Sequence, residues 1–348
     1  MLKILRLIIS PTAIVYLLII NIRNYFFDKN IFKSKNVNAK IISIGNLTVG
    51  GSGKTPAVIA VANILKSNNK KVGILSRGYG RKSKGYQLVS AGTGPETSVD
   101  EVGDEIYLTA METLVPAAVS EKRVEGAKRF IDDVKVDTIV LDDAFQHRWI
   151  NRDVDILIFD QRFLLEPAWL EKYILPLGMM REPFSSTKRA DIVIINRKFS
   201  DKKEMTTKVK KYFDSKKIFY ACYKTAGLYD VKSQHYYSLE EFSGQNSLVV
   251  SGIAKPFSFL NALKKNDINT KNHMLFPDHK DYTLKEVEAI RKKFYDTNSY
   301  SVITTEKDAV KLTNYKKELD DIDIYYLKIE MKIDNEKEFQ KELLKIYN

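Results

Sequence analysis

The stretch that most constrains the fold is a glycine-rich loop between an apolar run and a helix-forming run. It reads Ile41-Ile-Ser-Ile-Gly-Asn-Leu-Thr-Val-Gly-Gly-Ser-Gly-Lys-Thr-Pro56, and helix-forming residues follow from Ala57 to Leu65. Glycines allow several backbone N–H groups to converge on one anionic oxygen, and the start of a helix adds a partial positive charge. Strand, loop and helix in this order predict a phosphate-binding loop.

The last two residues of this loop are predicted to hold a nucleotide and its metal ion. Lys54 would reach the β- and γ-phosphates, and the Thr55 hydroxyl would bind Mg²⁺. The pattern G-x-x-x-x-G-K-[ST] fails at its first position, where this chain has Thr48. The alternative is a glycine turn that happens to precede Lys-Thr, and the flanking strand and helix argue against it. The predicted nucleotide-binding residues are Thr48, Val49, Gly50, Gly51, Ser52, Gly53, Lys54 and Thr55.

Apolar strands alternate with helical segments over the first part of the chain. The strands predicted here, besides the one before the glycine loop, are 71–76, 116–119, 136–141, 155–159 and 191–195. Such strands between helices indicate a mainly parallel sheet that is covered on both faces. Beyond about residue 200, a lysine-rich helix over 202–213 precedes a strand over 218–223, with which a late strand over 323–329 could pair. We expect a hydrophobic helix (1–29), an α/β nucleotide-binding domain (30–215) and a smaller α/β domain (216–348).

Composition excludes some classes of protein and leaves others open. The single cysteine, Cys222, excludes an intramolecular disulfide and a cysteine-based zinc site. The net charge of +12 suits a nucleic-acid partner, an anionic membrane surface or a generally lysine-rich proteome. Much of the lysine falls on predicted helix surfaces, without compact interleaving of arginine and aromatic residues, which argues against nucleic acid.

The first 29 residues combine an apolar run with basic and aromatic flanks. The run Ala13–Ile20 follows a break at Ser10-Pro11-Thr12 and precedes Arg23 and the cluster Tyr25-Phe-Phe27. No small-residue cleavage site follows, so a cleaved signal peptide is not expected. Two interpretations remain: a helix that enters a membrane interface, or a hydrophobic helix packed on the domain.

Two acidic pairs are candidates for chemistry. Asp142-Asp143 follows an apolar strand, at the sheet edge where parallel strands bind ligands, and could hold Mg²⁺. A helix N-cap is the alternative there. Asp104-Glu105 follows a glycine and begins a predicted helix; it could cap that helix or supply a general base or a second metal ligand.

Basic and histidine side chains give weaker signals. Arg77, Arg123 and Arg181 could contact an anionic substrate or could simply be exposed. The histidines, at 147, 235, 273 and 279, show no metal-ligand spacing. His279 lies beside Asp278 in a loop before a predicted helix.

The motifs, taken in order, resemble one family. They are Asn46–Pro56, Ser76–Arg81, Val102–Glu105, Asp142–Arg148, Leu175–Gly178, Arg181–Pro183, Ser251–Ile253, Phe276–His279 and Thr304–Asp308. Over nearly the whole chain this set resembles the tetraacyldisaccharide 4′-kinases of lipid A biosynthesis, and Thr48 belongs to the family pattern. A second histidine often follows in the family where this chain has Lys280.

The resemblance implies an activity, a fold and a location. It implies transfer of the ATP γ-phosphate to the 4′-hydroxyl of the lipid A disaccharide 1-phosphate (tetraacyldisaccharide 1-phosphate), forming lipid IVA. The implied fold is a three-layer α/β/α P-loop NTPase domain joined to the smaller domain by a two-stranded linker. The implied cofactors are ATP and Mg²⁺. The enzyme would work on the cytoplasmic face of the inner membrane, without a nucleic acid or an obligate protein partner.

The resemblance also implies roles for individual residues. Asp104 would be the catalytic base, and His279 its partner from the second domain. The metal ligands would be Thr55, Glu105, Asp142 and Asp143; the contacts to substrate phosphate would be Arg77, Arg123 and Arg181.

Two other classes of function compete with this interpretation. One is a different P-loop enzyme, such as a GTPase or a small-molecule ligase, although Thr305–Asp308 lacks the asparagine of a guanine-reading Asn-Lys-x-Asp motif. The other is a non-catalytic module that binds a membrane or a nucleic acid through its positive charge.

Overall fold

The structure is a computed structural model that describes residues 10–278 and 280–348. The strands are β1 (Lys40–Gly45), β2 (Val72–Ser76), β3 (Gln87–Ser90), β4 (Ala117–Val119), β5 (Thr138–Asp142), β6 (Val154–Asp160), β7 (Ile192–Asn196), β8 (Lys217–Asp230), β9 (Tyr236–Tyr237), β10 (Ser247–Ser251), β11 (His273–Leu275), β12 (Ser301–Thr305) and β13 (Ile324–Ile333). The helices are α1 (Ser10–Asp28), α2 (Lys54–Ser67), α3 (Val99–Val102), α4 (Asp104–Thr113), α5 (Arg123–Val134), α6 (Gln161–Leu165), α7 (Thr207–Lys210), α8 (Pro256–Lys264), α9 (Leu284–Asp296), α10 (Glu306–Leu312) and α11 (Glu336–Leu344).

The strands of the described residues form one 13-stranded sheet in the order β11-β10-β12-β13-β8-β7-β6-β1-β5-β2-β4-β3, with β9 beside β8. Strand β1 lies between β5 and β6 and is parallel to both, with Ile42 opposite Val140 and Val154. Ile41, Ile42 and Ile44 are fully or almost fully buried, because helices cover both faces of the sheet here. The prediction of a P-loop α/β fold with a mainly parallel sheet is confirmed.

A long antiparallel pair, β8 and β13, joins two sets of parallel strands. Strand β8 pairs with β7 over Lys217–Ala221 and with β13 over Ala221–Asp230. The predicted pairing joins the right strands but has the wrong register, since Tyr325–Ile329 lies opposite Thr225–Asp230. The reason is that β8 continues well beyond residue 223. The division into domains at residue 215 stays a prediction.

The antiparallel pair reverses the direction of the sheet. Strands β1, β2, β5, β6 and β7 run one way, whereas β10, β11 and β12 run with β13 in the other. The carboxyl ends of the two sets therefore face each other, and loops from both sets line one cavity.

The structure corrects one predicted helix and bears out the start of another. The helix expected over 202–213 is reduced to Thr207–Lys210, because Thr206 is extended and Lys203 N–H donates to Gln161 Oε1 at 3.0 Å. Met205 and Phe213 are buried in the core around Phe159. The helix predicted to begin at Asp104 does begin there: Gly103 has φ +96°, and α4 starts at the next residue.

Helix α1 packs on the α/β core through one face. Arg23 and Arg189 each form an ion pair of 2.8 Å with Glu182, whose side chain is fully buried. Tyr16 donates a hydrogen bond to the carbonyl oxygen of Arg181. The other face exposes apolar side chains, at Ile14, Val15, Leu18, Ile19, Ile22 and Tyr25.

The helix therefore combines a packed face with an exposed apolar face. Among the residues described, the structure contains no helix both long and apolar enough to cross a membrane.

Replacing Glu182 should loosen this attachment. Glu182→Ala leaves two arginines without their shared carboxylate, so we expect a loss of about 3–5 kcal/mol in the free energy of unfolding. Urea denaturation measures it. The control is Glu166→Ala, which breaks an exposed pair with Lys203 and should leave the transition in place. Equal stability of the two variants would contradict the prediction.

Candidate active site

Two side chains at the carboxyl end of β7 donate hydrogen bonds to the backbone of the glycine loop. Asn196 Nδ2 donates to the carbonyl oxygen of Ser52 at 3.0 Å, and Lys198 Nζ donates to that of Gly51 at 2.9 Å. Gly53, with φ +98°, ends the loop, and α2 begins at Lys54. The start of a helix below a glycine loop is suited to binding a phosphate group.

The unusual Thr48 has a structural explanation. It forms an antiparallel bridge with Met180, and the neighbouring backbone bonds join Val49 N–H to Met179 and Arg181 N–H to Leu47. The loop thus begins as extended backbone, which needs no glycine. This pairing also brings Arg181 beside the loop, where its guanidinium contacts Asn46.

The two aspartates after β5 lie in different environments. Asp142 is 4% exposed and accepts from Ser76 Oγ at 3.0 Å, while its Oδ1 is buried without a partner among residues 10–278 and 280–348. Burial, with the nearby Glu105 and Asp143, raises the pKa of Asp142 to about 7. Asp143 is held by both terminal nitrogens of Arg181, at 2.7 and 3.0 Å.

The pKa of Asp143 moves the other way. Burial alone would raise it, but Lys54, whose Nζ lies 3.9 Å away, and Arg181 bring the pKa below its usual value. The pKa values of the two adjacent carboxyl groups are thus shifted in opposite directions.

These residues fit a magnesium ion. The unpartnered Oδ1 of Asp142 is a buried oxygen suited to a hard cation, and Thr55, Glu105 and Asp143 line the same cavity. No group of three or more acidic, histidine or cysteine side chains in the described part of the chain forms an all-protein metal cage. Mg²⁺ commonly binds through one or two carboxylates together with water and substrate phosphates, so this donor set suits it.

The break at Gly103 places Asp104 and Glu105 at the start of α4. Both carboxylates reach lysines of α10 instead of serving only as caps. Lys311 Nζ lies 3.0 Å from Asp104 Oδ2, and Lys307 Nζ lies 2.5 Å from Glu105 Oε1. Burial favours the neutral form of Glu105, but Lys307 and Lys54 bring its pKa below the usual value.

One cavity of about 820 Å³ joins these elements. The predicted site residues that line it are Thr48, Val49, Gly50, Gly51, Ser52, Gly53, Lys54, Thr55, Arg77, Glu105, Arg123, Asp142, Asp143 and Arg181. Asp104, which is 5% exposed, is not among its described lining residues but precedes Glu105. His279 lies outside the described residues, and its neighbour Asp278 lines the cavity.

The arginines give the cavity a cationic wall. Arg123 is 3% exposed and donates to the carbonyl oxygen of Ser120 at 2.8 Å. Its burial lowers the pKa of the guanidinium to about 10. Arg77 is exposed, and Arg181 binds Asp143. A wall of this kind is suited to an anionic reactant.

The sequence interpretation missed four residues at this site. Asn196 and Lys198 follow the apolar strand at 191–195, and the rule that directed attention to Asp142 could have found them. Lys307 lies within the Thr304–Asp308 motif but was given no role there, and Lys311 carries no such signal. They lie about 200 residues from the carboxylates that they contact, and only the folded chain brings them together.

Fold and site together define a P-loop phosphotransferase. The family model described as "Tetraacyldisaccharide-1-P 4′-kinase" matches residues 5–348. A tetraacyldisaccharide 4′-kinase of Pelodictyon phaeoclathratiforme is 34% identical over 98% of this chain and 97% of its own length. One from Aquifex aeolicus is 33% identical over 99% of both chains. The crystal structure of "apo" form LpxK from Aquifex aeolicus in complex with ATP superimposes with a TM-score of 0.79 at 31% identity, covering 99% of this chain and 100% of the other.

The chain belongs to the tetraacyldisaccharide-1-phosphate 4′-kinase family and is an enzyme.

Gly53→Ala should prevent the loop from holding a nucleotide. A Cβ there would collide with Asn196 Nδ2 and the Tyr223 hydroxyl, so the loop must shift. We expect ATP binding, measured by calorimetry, to weaken by at least about tenfold. Gly244→Ala is the matched control, because Gly244 also has a positive φ (+73°) but has no neighbour within 4 Å of a Cβ. Equal ATP affinity in both variants would refute this account of the loop.

Proposed function

We propose that this chain transfers the γ-phosphate of ATP to the 4′-hydroxyl of tetraacyldisaccharide 1-phosphate, forming lipid IVA. The observation that carries the proposal is the single cavity in which the phosphate loop faces a carboxylate pair and a wall of arginines. Membership of the 4′-kinase family, with relatives of that name over nearly the full length, supports the choice of acceptor.

The cavity supplies what phosphoryl transfer needs. The reaction depends on alignment and on neutralising the charge of the transferred group more than on covalent chemistry. Lys54, at the start of α2, would contact the β- and γ-phosphates. Arg123, buried at the cavity wall, and Arg77 and Arg181 would contact phosphate groups of the two reactants. These cations come from different segments and converge on one space.

We assign the proton transfer to Asp104. The nucleophile is a neutral alcohol, and it becomes more reactive as a carboxylate takes its proton. Asp104 lies at the start of α4, next to the cavity wall at Glu105. His279, outside the described residues, would be its partner.

We propose that Thr55, Glu105, Asp142 and Asp143 hold Mg²⁺. When bound, the ion would neutralise charge on the β- and γ-phosphates. Ser76 orients Asp142 by donating a hydrogen bond to its Oδ2, and Arg181 orients Asp143 through their ion pair.

We also propose that the enzyme works at the cytoplasmic face of the inner membrane, as a peripheral or monotopic protein attached through residues 1–29. An acceptor with several acyl chains stays in the bilayer, so the enzyme must come to it. The exposed apolar face of α1 and the net charge of +12 both favour an anionic membrane surface. Strands β8 and β13 would link a nucleotide-binding domain at 30–215 to a smaller domain at 216–348.

The reaction is tested with purified protein, ATP, Mg²⁺ and tetraacyldisaccharide 1-phosphate in mixed micelles. We expect a product heavier by one phosphate group, detected by mass spectrometry. Asp104→Asn should lower the turnover by about 10²- to 10⁴-fold, because the base is lost, while ATP affinity is kept. Asp296→Asn, at the exposed end of α9, is the control.

Two outcomes of that assay would count against the proposal. Absence of phosphorylated product from the unaltered protein would reject the activity. Loss of ATP binding in Asp104→Asn would place that residue at the nucleotide or the metal instead of at the acceptor hydroxyl.

The membrane proposal has its own test. Leu18→Glu with Ile22→Glu places two charges on the exposed face of α1, so sedimentation with vesicles containing anionic phospholipid should fall steeply. Tyr300→Glu, at an aromatic residue elsewhere that is more exposed than Leu18 or Ile22, should sediment like the unaltered protein. Undiminished binding of the double variant would show that this face does not contact lipid.

A further inference from the structure

Helix α10 presents two lysines, one turn apart, to two consecutive acidic residues. Lys311 Nζ lies 3.0 Å from Asp104 Oδ2, and Lys307 Nζ lies 2.5 Å from Glu105 Oε1. The lysines follow β12, in the part of the sheet beyond the antiparallel pair, whereas the acids begin α4 in the P-loop part. The carboxylates of Asp104 and Glu105 are thus bound by lysines that follow a strand of the other parallel set.

The contact between α4 and α10 is a packed one. Val310, between the two lysines, is buried against Leu108 of α4 and Val99 of α3. The side chains of Lys311 and Asp104 are 13% and 5% exposed, so their ion pair is largely removed from water. Geometry decides whether such a pair is favourable, because little solvent remains to screen a misplaced charge.

Lys311 also contacts the loop after β11. Its Nζ donates to the carbonyl oxygen of Lys280 at 3.2 Å. Lys280 immediately follows His279 in the sequence. One ammonium group therefore connects the start of α4 to the backbone of that loop.

We propose that Lys311 is a positioning residue for the phosphoryl transfer, which fixes the carboxylate of Asp104 relative to the backbone at Lys280. The inference rests on the proposed function, in which Asp104 is the base. Among the described residues, the cavity lining includes Lys307 but not Lys311. Lys311 acts through Asp104, and Lys307 orients Glu105 in the same way.

A second ion pair provides a matched control. Lys328 Nζ lies 2.5 Å from Glu112 Oε2, with side chains 24% and 11% exposed. It joins the same helix α4 to β13, seven residues further along than Glu105, and neither residue lines the cavity. Lys328→Met removes a comparable contact between α4 and the C-terminal part of the chain without touching Asp104.

The experiment compares Lys311→Met, Lys311→Arg and Lys328→Met in the micelle assay, with thermal unfolding of each protein. For Lys311→Met we expect kcat to fall by about 100-fold, the size expected for a catalytic group misplaced by about 1 Å, and KM for ATP to change little. Lys311→Arg should regain part of kcat, because it keeps the charge and the donor. Lys328→Met should lose stability but keep kcat.

A double variant tests whether Lys311 acts through Asp104. Asp104→Asn with Lys311→Met should have the same residual rate as Asp104→Asn alone, because the inference makes Lys311 act on the reaction through Asp104. Additive losses would overturn the inference. So would unaltered kcat in Lys311→Met, or an equal loss in Lys328→Met. If Lys311→Met does not fold, Lys311→Gln takes its place, and the same outcomes support or overturn the inference.

Failure of this inference can be told apart from failure of the proposed function. If Asp104→Asn keeps full turnover, the assignment of the base is wrong. If Asp104→Asn is inactive while Lys311→Met is fully active, the base stands and only the role of Lys311 is rejected.

Discussion

The antiparallel pairing of β8 with β13 is the constraint on which the site depends. A sheet of parallel strands alone would place its carboxyl ends along one edge and leave the glycine loop open to solvent on that side. Because β13 runs against β8, the strands that follow it in the sheet present their carboxyl ends from the opposite direction. The loops after β1 and β5 therefore meet the loop after β10 and the start of α10, which directly follows β12, around one cavity.

Three carboxylates in or next to this cavity are each paired with a cation from another segment of the chain. Asp143 is held by Arg181, Glu105 by Lys307, and Asp104 by Lys311. Burial of an unpaired carboxylate costs several kcal/mol. The exception is informative: Oδ1 of Asp142 is buried without a partner in the described residues, and the pKa of this carboxyl is raised to about 7. A cation beside Asp142 would relieve that cost, which is why the metal assignment falls there.

Local physics explains what could be predicted from sequence and what could not. The glycine loop, its strand and its helix are adjacent in the chain, so the sequence alone predicts a phosphate-binding loop. The acidic pair at 142–143 is predicted as a ligand site because it lies at the end of a strand. The register of the strands and the pairing of side chains far apart in the chain could not be predicted from the sequence. The predicted helix at 202–213 failed because the Gln161 side chain, 42 residues before Lys203, accepts a hydrogen bond from the backbone N–H of Lys203. The role of Lys311 could not be predicted for the same reason, since its partner, Asp104, is about 200 residues away in the chain.

The attachment of α1 connects its exposed apolar face to the candidate active site through a short segment of chain. Tyr16 and Arg23 hold the backbone oxygen of Arg181 and the carboxylate of Glu182, which are consecutive residues. Arg181 in turn binds Asp143 and the oxygen of Asn46 at the glycine loop. The apolar face of the helix and the cavity wall are therefore built on the same short segment. In the membrane attachment proposed above, the surface that meets the lipid and the wall that meets the nucleotide would therefore be positioned by the same two residues, Arg181 and Glu182.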